Sequence, residues 1–211
     1  MLDLAHVRQE YMHAGLGERD VDADPLAQFA RWFADAQKAD LPLPNAMSLA
    51  TVSADGKPSS RVVLLKGVDH GGFVFYTNYE SRKGREVAAN ANASLLFAWL
   101  ALERQVRIDG VLRKVSTDES DAYFNSRPLG SRHAAIASPQ SDVVANRDAL
   151  EKSFNEVEAR TGQQPARPAH WGGYRLMPRE IEFWQGRENR LHDRLIYRQT
   201  TIGWKIERLA P

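Results

Sequence analysis

Hairpin-forming strands with amphipathic helices set between them predict an α+β chain, an antiparallel β-barrel with helices packed around it. Three observations carry that prediction. Six or seven short segments alternate apolar with polar residues or run as brief apolar stretches. Turn signals containing glycine separate several of them at hairpin spacing. The helical segments between them bring their own start and stop residues. No internal repeat or low-complexity stretch interrupts the chain, and its 211 residues suit one domain spanning 1–211.

In chain order, residues 3–14 read as a short polar helix ended by Gly15 and Gly17. A second helix starts at Asp24 as N-cap with Pro25 in the first turn, placing Leu26, Phe29, Trp32, Phe33 and Ala36 on one face. Strands at Met47–Ser53 and Arg61–Gly67 flank the turn Ala54-Asp55-Gly56-Lys57. Gly72–Asn78 forms a third strand, and Ser81 caps a helix reaching Asn90. Ser94–Leu102 and Gln105–Ser116 make a long hairpin. Ser116 and Glu119 form a capping box for a helix through Asn125. A long amphipathic helix covers 142–161 and stops at Gly162. Strands at 171–184, 193–200 and 203–209 close the chain.

Bulk composition removes several function classes. With 28 basic and 27 acidic residues, no global field favours nucleic acid or anionic lipid. Cysteine is absent, so there is no disulfide, thiolate metal site or Cys nucleophile. No apolar run approaches the ~20 residues that span a bilayer, and the N-terminus lacks the apolar core of a signal peptide. A soluble, cytoplasmic protein is expected. HExxH, GxSxG and P-loop patterns are missing too, which argues against metal-dependent or serine hydrolysis and predicts no metal site.

What remains is a set of anion-binding patterns. Ser81-Arg82-Lys83-Gly84 opens a helix with two cations, against the helix dipole unless an anion sits there. Arg61 and Lys66 bracket a four-residue apolar run; on a regular strand they face opposite ways, serving two anions or leaving one cation as surface. Tyr76 and Thr77 end the next strand with hydroxyls. Tyr123, Arg127 and Ser131 recur every four residues, with Pro128 and Gly130 breaking the helix, and suit a phosphate cup or an ordinary helix end. Gln140-Ser141 is weaker, since Ser141 could cap the next helix. After Trp184 and Gly186, an extended chain would put Arg190, His192 and Arg194 on one face, inviting a phosphate, carboxylate or electron-rich ring. Several anion sites without a carboxylate pair fit an enzyme whose cofactor carries the reaction.

The motifs RQEY (8–11), RVVLLK (61–66), FYTNYESRKG (75–84), LERQV (102–106), YFNSRP (123–128), WGGYR (171–175), WQGRENRLHDR (184–194) and WKIERLAP (204–211) cover the whole chain. On them the sequence resembles the pyridoxamine/pyridoxine 5′-phosphate oxidases. That resemblance implies an FMN-binding split β-barrel and a homodimer with FMN in the clefts between subunits. It implies that Arg61, Val62, Val63, Leu64, Leu65 and Lys66 form the flavin-binding strand. Tyr76, Thr77, Arg82, Lys83, Gln105, Gln140, Ser141, Trp184 and Arg194 match further flavin contacts. Lys66, Tyr123, Arg127 and Ser131 match the substrate phosphate cup; Arg190 and His192 match the pair over the pyridine ring. Arg8 and Tyr11 match a mobile lid within residues 1–20. The implied substrates are pyridoxamine and pyridoxine 5′-phosphate, oxidised to pyridoxal 5′-phosphate with O2 as acceptor and hydrogen peroxide as product. Two alternatives stand: a split-barrel oxidase of another ring, such as a phenazine precursor, which would lack the phosphate cup, and a flavin or pyridoxal phosphate carrier without turnover.

Overall fold

A computed structural model describes residues 15–211. The helix expected at 3–14, with Arg8 and Tyr11, lies outside the described residues. Among the described residues, nine strands and five α-helices follow in the order α1 (Pro25–Lys38), β1 (Ala46–Val52), β2 (Pro58–Leu64), β3 (Gly67–Asp69), β4 (Gly72–Asn78), α2 (Arg82–Ala89), β5 (Asn92–Trp99), β6 (Arg104–Lys114), α3 (Thr117–Ser126), α4 (Leu129–Ala137), α5 (Arg147–Thr161), β7 (Trp171–Gln185), β8 (Asp193–Thr200) and β9 (Gly203–Arg208). The strands join in the order β2-β1-β5-β6-β7-β4-β3, with β8 on β7 and β9 on β8. Where the register is resolved, for β3–β4, β4–β7, β7–β8 and β8–β9, pairing is antiparallel. None of the described helices is long and apolar enough to cross a membrane.

Local chemistry sets most element ends. Asp24 accepts from the Leu26 N–H and Pro25 takes the first helical position, so α1 starts where its sequence dictates. The capping box at Ser116 is present in both directions. Gly56 at φ 80 closes the β1–β2 turn, while His70 (φ 44) and Gly71 (φ 77) make a two-residue turn between β3 and β4.

Three expectations change. The strand expected at Arg61–Gly67 runs Pro58–Leu64, because the turn bond from Ser53 N–H to the Lys57 carbonyl (3.0 Å) pairs the arms at once. The helix expected from 142 starts at Arg147, where Asn146 accepts from the Ala149 N–H (2.8 Å). That cap fixes the first turn and leaves Val143 fully exposed. Gly130 does not break the helix: it lies inside α4, whose buried His133 packs edge-on against Phe154 of α5.

By density of internal contacts the chain divides into two compact units. The described residues up to 49, with 94–110 and 178–211, form the first. Its core sets Phe29 against Phe97 (5.0 Å between ring centres) and Trp32 edge-on to Phe183 (5.2 Å), with Leu49, Leu95, Ile108, Leu195 and Tyr197 buried around them. Residues 50–93 and 111–177 form the second, built on Phe73, Phe75, Phe124, Tyr174 and Leu176. Glycine in β7 shapes this second unit. Gly172 pairs with Thr77 and Gly173 with Tyr76. A methyl group on Gly172 would overlap the Tyr79 hydroxyl, and one on Gly173 would come within 2.8 Å of the Tyr76 ring. Two absent side chains thus let two tyrosines lie across the strand.

Candidate active site

The second unit contains a cavity of about 880 Å3. From β2 and the residue after it come Arg61, Val62, Val63, Leu64 and Lys66. From β4 and α2 come Tyr76, Thr77, Asn78, Arg82 and Lys83. Tyr123, Arg127 and Ser131 enter from the α3–α4 junction, Gln140 and Ser141 from the following loop, and Trp171 from β7. Five of the lining residues are cations, and among the described residues none lining it is a carboxylate.

One end is built on the start of α2. Ser81 caps the helix by accepting from the Gly84 N–H, and Gly84 is required because a methyl there would overlap the Tyr79 carbonyl. Lys83, one of the two cations in the first turn, is buried. Its ammonium donates to Thr77 Oγ1 (2.9 Å), Ser81 Oγ (3.2 Å) and Gln140 Oε1 (2.7 Å), all neutral oxygens. Burial, and then the nearby Arg61 guanidinium, push its pKa down to about 8. Arg61 and Arg82 meet at a buried carboxylate, Glu86, by way of 3.2 and 2.9 Å bonds. Ser141 is held at φ 77 and does not cap α5, whose N-cap is Asn146.

The other end is a stack of rings. Tyr76 lies on Tyr123 with ring centres 3.9 Å apart, and Trp171 is nearly parallel to both, 5.7 and 6.2 Å away. Arg127 lies over Trp171 (4.7 Å) and Lys66 over Tyr123 (6.0 Å). The Nη1 of Arg127 is buried and has no hydrogen-bond partner among the described residues. Burial lowers the Arg127 pKa. Ser131 sits in the first turn of α4, which begins just after Arg127, so a guanidinium, a hydroxyl and a helix N-terminus converge. The strand-parity argument for Arg61 and Lys66 does not apply, because β2 ends at Leu64 and the chain turns, with Lys66 N–H bonding the Val74 carbonyl (2.8 Å). Both cations therefore line one cavity. Leu65, between them, is buried and does not line it.

The remaining predicted residues belong to the first unit. Gln105 lies on β6, Trp184 on β7 and Arg194 on β8. Arg190, His192 and Arg194 do not share a strand face. Residues 188–190 form a short 3-10 turn with Asn189 and Arg190 at φ 55 and 60, and β8 starts only at Asp193. His192 packs against Trp184 (4.6 Å between ring centres) and its Nδ1 accepts from the Arg187 N–H (3.1 Å). In the neutral ring the proton then resides on Nε2. Burial, and secondarily Arg190, lower the His192 pKa, which favours the neutral ring. Arg194 is committed on two sides, donating to Glu182 (2.7 Å) and to the Ala210 carbonyl (2.9 Å).

Trp171 and Glu86 were missed by sequence reasoning. The aromatic-Gly-Gly pattern at 171–173 was a usable signal for the first; a lone glutamate in a helix gave none for the second.

Buried cations without an acidic partner, hydroxyls, flat aromatic walls and an orphaned guanidinium nitrogen fit FMN together with a second phosphorylated molecule. Residues 33–161 match the family model described as pyridoxamine 5′-phosphate oxidase, and residues 171–211 match the pyridoxine 5′-phosphate oxidase C-terminal dimerisation region. A pyridoxine/pyridoxamine 5′-phosphate oxidase from Cupriavidus pinatubonensis is 60% identical, and one from Burkholderia vietnamiensis 59%, each over the full length of both chains. Among solved structures, PhzG from Burkholderia lata, in complex with tetrahydrophenazine-1-carboxylic acid, superposes with a TM-score of 0.87. It is 36% identical, over 93% of this chain and 98% of that one. A pyridoxamine 5′-phosphate oxidase-related, FMN-binding protein from Nostoc punctiforme shares the fold at a TM-score of 0.69 and 18% identity, over 87% of this chain and 97% of that one. The fold is thus the antiparallel split barrel, the chain is an oxidoreductase and FMN is its cofactor. The chain belongs to the pyridoxamine 5′-phosphate oxidase family.

Proposed function

We propose that the protein oxidises pyridoxamine 5′-phosphate and pyridoxine 5′-phosphate to pyridoxal 5′-phosphate, with O2 as acceptor. Hydrogen peroxide is released, and ammonia as well from the amine. The observation that carries this reading is the pair of cationic ends in one cavity, Arg61, Arg82 and Lys83 at one and Lys66 with Arg127 at the other. Two phosphate monoesters, flavin and substrate, need two such ends.

Bound FMN would supply a two-electron acceptor for hydride from the substrate's exocyclic 4′ carbon, and O2 would carry those electrons on to peroxide. Every other part of the work falls to the chain. Lys83, Arg61 and Arg82 hold the flavin phosphate, with the Ser141 and Thr77 hydroxyls and Gln140 beside them. Lys66, Tyr123, Arg127 and Ser131 clamp the substrate phosphate, which fixes one end of the ring and spends binding energy on orientation. Arg190 and His192 engage the pyridine ring, the neutral imidazole donating from Nε2 toward the ring hydroxyl. Gln105, Trp184 and Arg194 complete the flavin surroundings. Arg8 and Tyr11, outside the described residues, are the remaining candidates for substrate binding. The protein works as a homodimer, a reading supported by the dimerisation-region match over residues 171–211.

A second reading comes from PhzG, at 36% identity. In that case the ring substrate would be a phenazine precursor without phosphate, and the Arg127 cup would have no ligand. Purified protein should be yellow, with one FMN per subunit. It should produce peroxide and pyridoxal phosphate from pyridoxamine phosphate. Turnover of a reduced phenazine carboxylate with none of pyridoxamine phosphate would decide for the second reading.

A further inference from the structure

Glu86 does not line the cavity, yet two of the cations that do are tied to it. Its side chain is only 6% exposed. Oε2 accepts from Ser59 Oγ (2.6 Å), from Arg61 Nη2 (3.2 Å) and from Thr51 Oγ1, while Oε1 accepts from Arg82 Nε (2.9 Å). Thr51 and Ser59 also accept from the Arg61 guanidinium, so the ring of contacts closes on itself. We propose that Glu86 is a positioning residue that aims Arg61 and Arg82 at the flavin phosphate. The proposal rests on the reading above that this end of the cavity holds that phosphate.

The chemistry favours positioning over simple pairing. Two guanidiniums and the Lys83 ammonium around one pocket repel each other, and one buried carboxylate between the arginines relieves that without reaching the ligand. Three cations and one anion leave a net charge of two, which matches a phosphate dianion. Glu86 is four residues beyond Arg82 on α2 and so lies on the same helix face. It grips Arg82 through Nε, leaving the Nη edge to turn toward another acceptor. A buried ion pair kept for stability alone is often matched by apolar packing; this one holds two arginines that both line the cavity.

The test compares FMN with riboflavin, which lacks the phosphate, in titrations of apoprotein followed by quenching of flavin fluorescence. Glu86→Gln keeps size and hydroxyl partners but sets an amide N–H against Arg82 Nε–H. FMN affinity should fall roughly tenfold, about the worth of one such hydrogen bond, with riboflavin affinity unchanged. Glu86→Asp restores the charge on a shorter arm and should recover part of the loss; if the glutamine variant fails to fold, the aspartate variant is read by the same two-flavin ratio. In an Arg82→Ala background, Glu86→Gln should cost less than it does alone, leaving only the part that acts through Arg61. An equal loss for both flavins would make Glu86 merely structural and overturn the proposal. So would unchanged FMN affinity while Lys83→Ala still weakens it. If Lys83→Ala also leaves FMN affinity unchanged, the phosphate reading itself falls and carries the proposal with it.

Discussion

Two regions of this chain handle arginine and lysine in opposite ways. On β8 and β9, Arg194 meets Glu182 (2.7 Å), Arg198 meets Glu180 (2.9 Å) and Glu207 (2.6 Å), and Arg208 meets Glu18 (2.7 Å) and Asp193 (2.5 Å). Bonds to these carboxylates raise the pKa of all three. In the cavity of the second unit, Lys83 and Arg127 make no ion pair among the described residues, and burial lowers the pKa of both. A cation desolvated without a counter-charge costs stability, so its retention signals a ligand. A cation wrapped in carboxylates away from the cavity is scaffold, while Arg61 and Arg82, which line the cavity, share the single carboxylate of Glu86. Position in a family motif does not make that distinction. Arg194 matches a flavin contact and at the same time pairs with Glu182.

Arg190 is the exception within 187–208, the cation there without an acidic partner among the described residues. Arg190→Ala should produce the largest effect. Loss of ring alignment should slow flavin reduction about 100-fold with FMN retained, and lysine should rescue little because it lacks the flat fork. Anaerobic single-turnover bleaching of the flavin band checks this; a wild-type rate at saturating pyridoxamine phosphate removes Arg190 from catalysis.

Lys83→Ala should weaken FMN binding by ~1.5–3 kcal/mol, the worth of a charge-assisted hydrogen bond, while KM on flavin-saturated enzyme changes far less. The pH dependence sharpens the point. With its pKa lowered to about 8, Lys83 is protonated below that pH and loses its charge above it. A phosphate dianion favours the charged form, so FMN binding should take up a proton between pH 8 and 9, and affinity should decline as pH rises through that window. Calorimetry in buffers of different ionisation enthalpy measures the uptake. A flat affinity from pH 7 to 9.5 would argue that another group holds the phosphate.

Arg127→Ala should raise KM for the phosphorylated substrates roughly tenfold and hardly touch turnover of unphosphorylated pyridoxine. Equal losses on both would make it structural. Smallest of all, Arg198→Ala should lower Tm by only about a few degrees and leave both flavin affinity and KM unchanged. A change in either would break the division between scaffold and ligand cations.

Much of this was written locally. Asp24-Pro25, the Ser116/Glu119 box and the Asp55-Gly56 turn each determine their own backbone, so those elements were readable before any tertiary contact was known. The family motifs named most of the cavity wall. Other features depend on distant partners. Helix α4 forms despite Pro128 and Gly130 because His133 and Ala137 are buried, with α5 supplying Phe154 and a hydroxyl from Ser153 to the Ala137 carbonyl (3.1 Å). The shared face of Arg190, His192 and Arg194 failed because two consecutive residues take positive φ, which no alternation pattern reveals. Glu86 was invisible because its meaning comes from Thr51, Ser59 and Arg61, more than twenty residues away.

The ring stack has a practical consequence. Of the five tryptophans, Trp171 is the one that lines the cavity, held parallel to Tyr123 beneath the Arg127 guanidinium. Indole emission overlaps the absorption of an oxidised flavin, so this side chain is a donor for resonance energy transfer at the wall of the binding chamber. The protein therefore carries an intrinsic optical gauge of its own loading, readable in a cuvette without dye, tag or coupled assay.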